Sequence, residues 1–472
     1  MTTSTTHIGG FRLNVRALTF WLIIICLAGI AGLGWLVMKK PLVYALALLA
    51  VPVGVWIVTH PRIAIVQYIA ALFLPMPLLP SVPVFLVDVS ALLVVAAALL
   101  DLFADDRLPV RLPKFTFNYL YILAAFVLCG ALSYWPHIAP LRIVTFMFLI
   151  VVFVSFYRLT RHLSVYSMLR AFLACAFLLS LQTVIPFILS GGTFRSFGIS
   201  GIIFDDLTLT ALPLGVVLFL WAPRGKAWRY LIVTVTVLLA LLATQSRLSI
   251  LFGLTASAFA VVLSFRLAGR HRTQSPICRE VRRRILLLVA PTVSLATVAL
   301  FTLDVFGDLT ARFAQLWQTS IEADSSRYRV TLWKRALQAF WDNPVAGVGP
   351  GGYFRLKELY PTMHLTEFYR ILRFSKAHNV FLHYLAELGL IGGLGLVALC
   401  ANTVRLAHQN LTRAGIPRLE TVALLTWAFL FVLTVAIEAG WMWGQLSFLM
   451  VFFAALIARQ HRLLEAEESA KQ

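Results

Sequence analysis

The sequence predicts an all-α polytopic membrane protein, and three observations carry that reading. Of its 472 residues, 60% are hydrophobic and only 13% charged. The mean hydropathy is +0.87, above what the core of a soluble domain requires. Long apolar runs alternate with short basic stretches. A formal charge of +20 would suggest nucleic acid in a soluble protein. Here Lys and Arg gather between the apolar runs, where cytoplasmic loops carry them, so nucleic acid is excluded as a partner and membrane lipids are implied instead.

A helix crossing a bilayer needs about 20 residues. On that ruler the spans fall at 17–38, 41–59, 62–78, 85–103, 117–135, 141–157, 167–189, 205–222, 229–245, 247–267, 285–305, 379–402, 420–437 and 442–458, roughly 12–14 transmembrane helices. The third, with Pro75, Pro77 and Pro80 at its end, has the character of a re-entrant segment. Arg12 and Arg16 precede the first run without a small-residue cleavage site, which reads as a retained first span. The Lys/Arg bias puts both termini inside, with Lys39 and Lys40 as the exception. Cys26, Cys129, Cys175, Cys278 and Cys400 form no CxxC, so neither a metal knot nor a disulfide framework is indicated. The chain reads as a single membrane domain, 1–472, with one long outer loop at 306–378.

That loop is too polar to span and rich in aromatics. Between Arg327 and Trp341, Val330, Trp333, Leu337 and Phe340 or Trp341 recur at helical spacing beside Lys334 and Arg335, predicting an amphipathic helix that lies at the interface over a cavity. A turn-rich stretch, GVGPGGY (347–353), follows it.

Three basic side chains fall on the outer side in this topology. Arg195 lies in a loop with Gly191, Gly192, Gly198 and Gly201. Arg247 stands at a break between two apolar runs, at membrane depth, where an ionisable side chain usually faces a cavity or a partner. Taken singly, Arg247 reads as a snorkelling side chain and Arg195 as a solvated or phosphate-facing one. Together, two guanidiniums can grip a diphosphate bidentately. His378 marks the seam where a polar, basic segment enters an apolar helix. It either caps that helix or acts as a general base. The positive end of a helix and neighbouring cations favour the uncharged ring, which accepts a proton from a hydroxyl. Asn379 caps the helix or orients a ligand, while His383 and Glu387 serve packing or support. Asp205 and Asp206 are an outer acidic pair with no third carboxylate placed near them, and no metal is expected. The glycine-rich stretch lacks a P-loop ending, and there is no GxSxG elbow.

Residues 327–353, then KAHNVFL (376–382) and ELGLIG (387–392), together with the TQSRLS start at Arg247, resemble the O-antigen ligase and polymerase family. The resemblance covers about Arg195 to Gly395. It implies a GT-C-like helical fold in a bacterial inner membrane with the active site facing the periplasm. The implied activity is metal-independent, cofactor-free, inverting glycosyl transfer in lipopolysaccharide biosynthesis. The implied donor is a glycan on undecaprenyl diphosphate, and the acceptor is a lipid or glycan hydroxyl, lipid A-core for a ligase. Carried onto matching positions, Arg195 and Arg247 bind the diphosphate and His378 is catalytic, with Asn379, Arg327 and Lys376 in supporting positions. PheAspAsp at 204–206 departs from the family's ProAsn pattern after the Arg195 loop and loosens that register. A repeat-unit polymerase is the nearest alternative, and a lipid-linked oligosaccharide flippase the alternative from another class, though the paired repeats of a transporter are not visible.

Overall fold

In a bilayer every backbone polar group needs an internal partner, which leaves helices as the framework for apolar runs of this length. The computed structural model describes residues 5–8, 11–14, 52–74, 77–79, 82–104, 112–113, 115–190, 204–244, 246–271, 276–286, 325–359, 377–435 and 445–472. Two short antiparallel hairpins, Thr5–Ile8 with Phe11–Asn14 and Pro77–Leu79 with Val82–Phe85, accompany a helical bundle. The bundle helices are α1 (Pro52–Thr59), α2 (Pro61–Leu72), α3 (Leu86–Ala104), α4 (Thr116–Ala131), α5 (Ala139–Leu159), α6 (Val165–Leu189), α7 (Phe204–Trp221), α8 (Ala227–Ala243) and α9 (Arg247–Arg270). They continue as α10 (276–286), α11 (Ser325–Asp342), α12 (Val380–Arg413), α13 (Leu419–Val435) and α14 (Gln445–Ser469).

Among the described residues, seven helices are long and apolar enough to cross a membrane, or eight if the bent pair α1–α2 is one span. The chain is thus an all-α polytopic membrane protein. From 85 to 267 the expected spans coincide with helices to within about four residues, whereas α12 and α14 run on past the expected ends at 402 and 458, to Arg413 and Ser469. Two further details stand out. α1 and α2 meet at 115° across His60, and α2, with 12 residues, is about 18 Å long, too short to cross a hydrocarbon core alone. Of the span expected at 285–305, residues 287–305 lie outside the described residues, and the described helix at 276–286 belongs to the basic stretch before it. The expected span 17–38 lies outside the described residues.

α13 is buried on nearly every side, as a helix hydrophobic all round must be. It packs against α7, α9, α12 and α14, while α5 joins α3, α4 and α14. Polar side chains tie helices to one another: Tyr68 donates to the Phe448 carbonyl at 3.0 Å, Trp221 to Ser264 Oγ at 2.9 Å and Asn410 to the Ile457 carbonyl at 3.0 Å. Such bonds average about 0.6 kcal/mol in membrane proteins. At the far end of α7, Arg284 of α10 is enclosed and its Nη1 donates to the carbonyls of Phe219, Leu220 and Ala222 at 2.8, 3.0 and 2.7 Å. It thereby satisfies the carbonyls that a helix end leaves open.

α11 is amphipathic, as its spacing predicts, but the face that meets protein is Leu332, Arg335, Ala336 and Ala339. Val330, Leu337 and Trp341 of the expected stripe point outward, Trp341 70% exposed. Small alanines let α11 approach α12 closely, and the bulky residues are left for the surroundings.

Candidate active site

His378 enters α12 through an unusual backbone. Its φ is +48°, and among the described residues it is the one non-glycine with positive φ. This left-handed conformation crowds the Cβ and costs about 1–3 kcal/mol unless neighbours hold it. Both flanks do. Ala377 is fully buried in a small core with Ala336, Ala339, Val348, Tyr353, Leu356 and Ala386. Asn379 is the N-cap: its side-chain oxygen accepts the Leu382 N–H at 2.9 Å. Capping therefore belongs to Asn379, and the half-buried His378 stands outside the helix.

The glycine-rich loop holds this arrangement through an exchange of backbone hydrogen bonds. In an unbroken helix the carbonyls of Ala386 and Glu387 would accept from Leu390 and Ile391. Gly389, with φ +57° and ψ −152°, breaks that ladder. Instead Val348 N–H donates to Ala386 O and Gly349 N–H to Glu387 O, both at 2.9 Å. Leu390 N–H donates to Pro344 O at 2.8 Å and Ile391 N–H to Val345 O at 3.3 Å. These four groups freed by the kink find partners in the loop, and the Leu388 carbonyl accepts from Cys129 Sγ of α4 at 3.5 Å, as the low-dielectric setting demands. The other side of the loop is anchored to the α4–α5 connection. There the Val348 carbonyl accepts from Ser133 Oγ at 3.2 Å and from Tyr134 N–H at 3.3 Å. A Cβ on Gly349 would collide with Ser133, and one on Gly389 with the Val345 carbonyl.

Side chains reinforce the clasp. Glu387 and His383, one turn apart on α12, are both fully buried. Glu387 Oε1 accepts the Tyr353 N–H at 3.1 Å and lies 3.3 Å from His383 Nε2. The Tyr353 ring lies against the His383 ring, centroids 4.7 Å apart, and its hydroxyl donates to Leu332 O of α11 at 2.9 Å. Arg142, in the first turn of α5, lies over the Phe354 ring at 5.4 Å and interacts electrostatically with Glu387. Arg142 was not legible as a site residue from sequence. The signal that exists is a cation in the first turn of an otherwise apolar span. It also lines a narrow cavity of about 40 Å³ between α4, α5, α12, α13 and α14. The remaining walls are apolar or neutral, with Tyr119, Phe126, Tyr384, Phe431 and Val380, the last two residues from His378.

Of the other sequence candidates, Arg195 and Lys376 lie outside the described residues, as do the side chains of Arg247 and Arg327. The backbone of Arg247 is placed: it opens α9 after the N-cap Ser246. Leu209 near the start of α7, Phe252 near the start of α9 and Leu430 near the end of α13 pack together. Val435 at that end of α13 shares the cavity wall with Val380 at the start of α12. The beginnings of α7, α9 and α12 therefore lie at one end of the bundle, which puts Arg247 at the His378 end. Asp205, at the start of α7, accepts from Ser249 Oγ at 3.1 Å. Among the described residues no three His, Cys, Asp or Glu side chains converge as metal ligands.

Compared with family models, residues 232–397 match the one described as O-antigen ligase. The matched stretch runs from α8 to the middle of α12 and contains Arg247, Arg327, the glycine-rich loop, the clasp and His378, but not Arg195. Among curated proteins the chain has no match.

Proposed function

We propose that the chain is a membrane glycosyltransferase of the O-antigen ligase and polymerase type, a reading supported by the match of residues 232–397 to the O-antigen ligase family model, and that it moves a finished glycan from undecaprenyl diphosphate onto an acceptor hydroxyl, lipid A-core for a ligase, at the periplasmic face of the inner membrane. The observation that carries the reading is His378: a histidine in a strained backbone, relieved of capping by Asn379 and braced by the loop–helix clasp inside the matched segment. Strain held this firmly is characteristic of functional positions.

In the proposed reaction the His378 imidazole takes the proton of the acceptor hydroxyl as its oxygen attacks the anomeric carbon. The bond from that carbon to the diphosphate breaks on the opposite side, so configuration inverts, and undecaprenyl diphosphate leaves with the electron pair. Arg195 and Arg247 offset the charge growing on the departing diphosphate, the form of stabilisation that usually contributes most. The donor already carries its activation in the diphosphate, so the reaction is proposed to need no metal and no cofactor. An apolar cavity reaching into the bundle beside the start of α12 suits a substrate that is half lipid. The loop 306–378, with α11 in it, is proposed to cover the site from the outer side.

The test is transfer by His378→Ala in proteoliposomes supplied with purified lipid-linked donor. Loss of a general base slows the reaction by about 10²–10⁴-fold, and full activity would overturn the proposal. In cells lacking the protein, long glycans accumulating on the carrier mark a ligase, whereas single repeats would assign the polymerase reaction instead.

A further inference from the structure

The first turns of α7 and α9 are joined by a strut of two hydroxyls and a carboxylate, beside the position of Arg247. Asp205, in the first turn of α7, receives the Asp206 N–H on Oδ1 and the Ser249 hydroxyl on Oδ2, each at 3.1 Å. Ser249 Oγ lies 2.8 Å from Ser246 Oγ. A carboxylate only accepts and each serine hydroxyl carries one proton, so the order is fixed: Ser249 donates to Asp205, and Ser246 donates to Ser249. This is an unusual use of Ser246. It is the N-cap of α9, yet its side chain caps no backbone N–H, although capping is what favours serine at that position.

What the strut fixes is the rotation of α9. On the α8 side, the fully buried Thr244 accepts the Ser246 N–H at 3.2 Å and donates to Leu241 O at 2.7 Å, which sets where α9 begins. Further along, Leu209 and Phe252 pack together, and a Cβ on Gly253 would crowd Leu241, Leu212 and Leu209. Ser249, 7% exposed, adds a hydrogen bond to a charged group at the very end of the helix, where helices fray. Residues two apart in a helix lie on roughly opposite sides of it. With Ser249 held against α7, position 247 falls on the side of α9 turned from α7, in register with Leu251 and Leu254, which are 56% and 48% exposed.

We propose that Asp205 is a positioning residue for the donor: through Ser249 it holds the first turn of α9 at the rotation that presents Arg247 to a lipid-borne diphosphate arriving from the bilayer. The inference rests on the reading of Arg247 as a diphosphate ligand. Asp205 itself meets no phosphate, because a carboxylate repels one; it acts through Ser249.

The experiment measures KM for the lipid-linked donor and for the acceptor with the full chain in proteoliposomes. Asp205→Ala cuts the strut from α7 and Ser249→Ala cuts it from α9. Each raises the donor KM roughly tenfold, the lower end of what one charged hydrogen bond carries, and leaves the acceptor KM unchanged. Asp205→Asn keeps an acceptor for Ser249 without the charge and restores most of the donor KM. In an Arg247→Ala background Ser249→Ala adds nothing, because two changes that act through one group do not add. Ser264→Ala removes the hydrogen bond that Trp221 makes between α7 and α9 at their other ends, and it leaves the donor KM at the wild-type value. Should Asp205→Ala not fold, Ser249→Ala, which removes a single hydroxyl, carries the test. An unchanged donor KM in Ser249→Ala while Arg247→Ala raises it would overturn the proposal and leave the reading of Arg247 standing. A further rise in the double variant, or an equal rise in Ser264→Ala, would reduce the strut to general stability and overturn it too. So would Asp205→Asn proving as damaging as Asp205→Ala, since the charge and not the strut would then matter. If Arg247→Ala itself leaves the donor KM unchanged, the reading of Arg247 fails first and takes the strut's role with it.

Discussion

Replacing Gly389 with alanine separates the clasp from the rest of the fold. The glycine's φ of +57° and ψ of −152° lie where only glycine is at ease, so a side chain costs about 1–3 kcal/mol in backbone strain. The new Cβ would also run into the carbonyl of Val345. That group cannot drift away, because Ile391 N–H holds it and Leu390 N–H holds the neighbouring Pro344 carbonyl. Overpacking of this kind adds about 1–3 kcal/mol. The chain has an escape. If residue 389 becomes helical, Ala386 O regains Leu390 N–H and Glu387 O regains Ile391 N–H, and α12 straightens. The loop's own four groups then turn to water at about 0.5–1.5 kcal/mol each, a cost similar to the strain avoided. Gly389→Ala should therefore leave the bundle folded but undock residues 344–349 and release His378 from its brace. Hydrogen–deuterium exchange reads this directly: the amides of Val348, Gly349 and Tyr353 lose protection while those of Leu390 and Ile391 keep it. Glycosyl transfer falls at the same time. Wild-type protection at 348–349 together with wild-type turnover would refute the account of the clasp.

The remaining predictions concern single side chains. Glu387→Ala removes the acceptor of the buried Tyr353 N–H and should cost about 1–3 kcal/mol, seen as a lower melting temperature, whereas Glu387→Gln keeps an acceptor and should recover most of it. Arg247→Ala should raise KM for the lipid-linked donor about 10- to 150-fold, the equivalent of one charged hydrogen bond, and unchanged donor affinity would return Arg247 to a snorkelling role. In α10, burial pushes the Glu280 carboxyl up, but Arg224 and Arg284 outweigh it and hold Glu280 below its ordinary value of 4.5. Its folded pKa is depressed, so the stability it contributes is present above pH 4.5 and lost as pH falls through the lowered value. Glu280→Gln should flatten the acid side of the melting-temperature profile, and an unaltered profile would show the ion pairs to be inert.

What was legible in the sequence, and what was not, follows from the range of the interactions involved. α3 to α9 and α12 to α14 could be read because a membrane span is a local property: about 20 apolar residues suffice, whatever lies elsewhere in the chain. The seam at His378 was legible for the same reason, as a change of polarity within one segment. Its left-handed backbone was not, since nothing local to Ala377-His378-Asn379 requires it. The requirement comes from Ala336, Ala339 and Tyr353, which bury Ala377 from a helix and loop far upstream. Likewise Gly389 in ELGLIGG looks like one tolerated glycine in a helix, because the backbone that excludes its Cβ belongs to Val345 and Ala346. Arg142 escaped notice because its partners, Phe354 and Glu387, come from two other elements. The glycine-rich loop, the HisAsn pair and the ELGLIG run are accordingly one device rather than three motifs. The kink at Gly389 opens the α12 ladder, the loop closes it, and the closed clasp carries Ala377 into a small core. Asn379 then takes the cap and leaves His378 outside the helix, where an imidazole can meet a hydroxyl. A substitution anywhere in that chain of contacts should be felt at His378 before it is felt by the bundle.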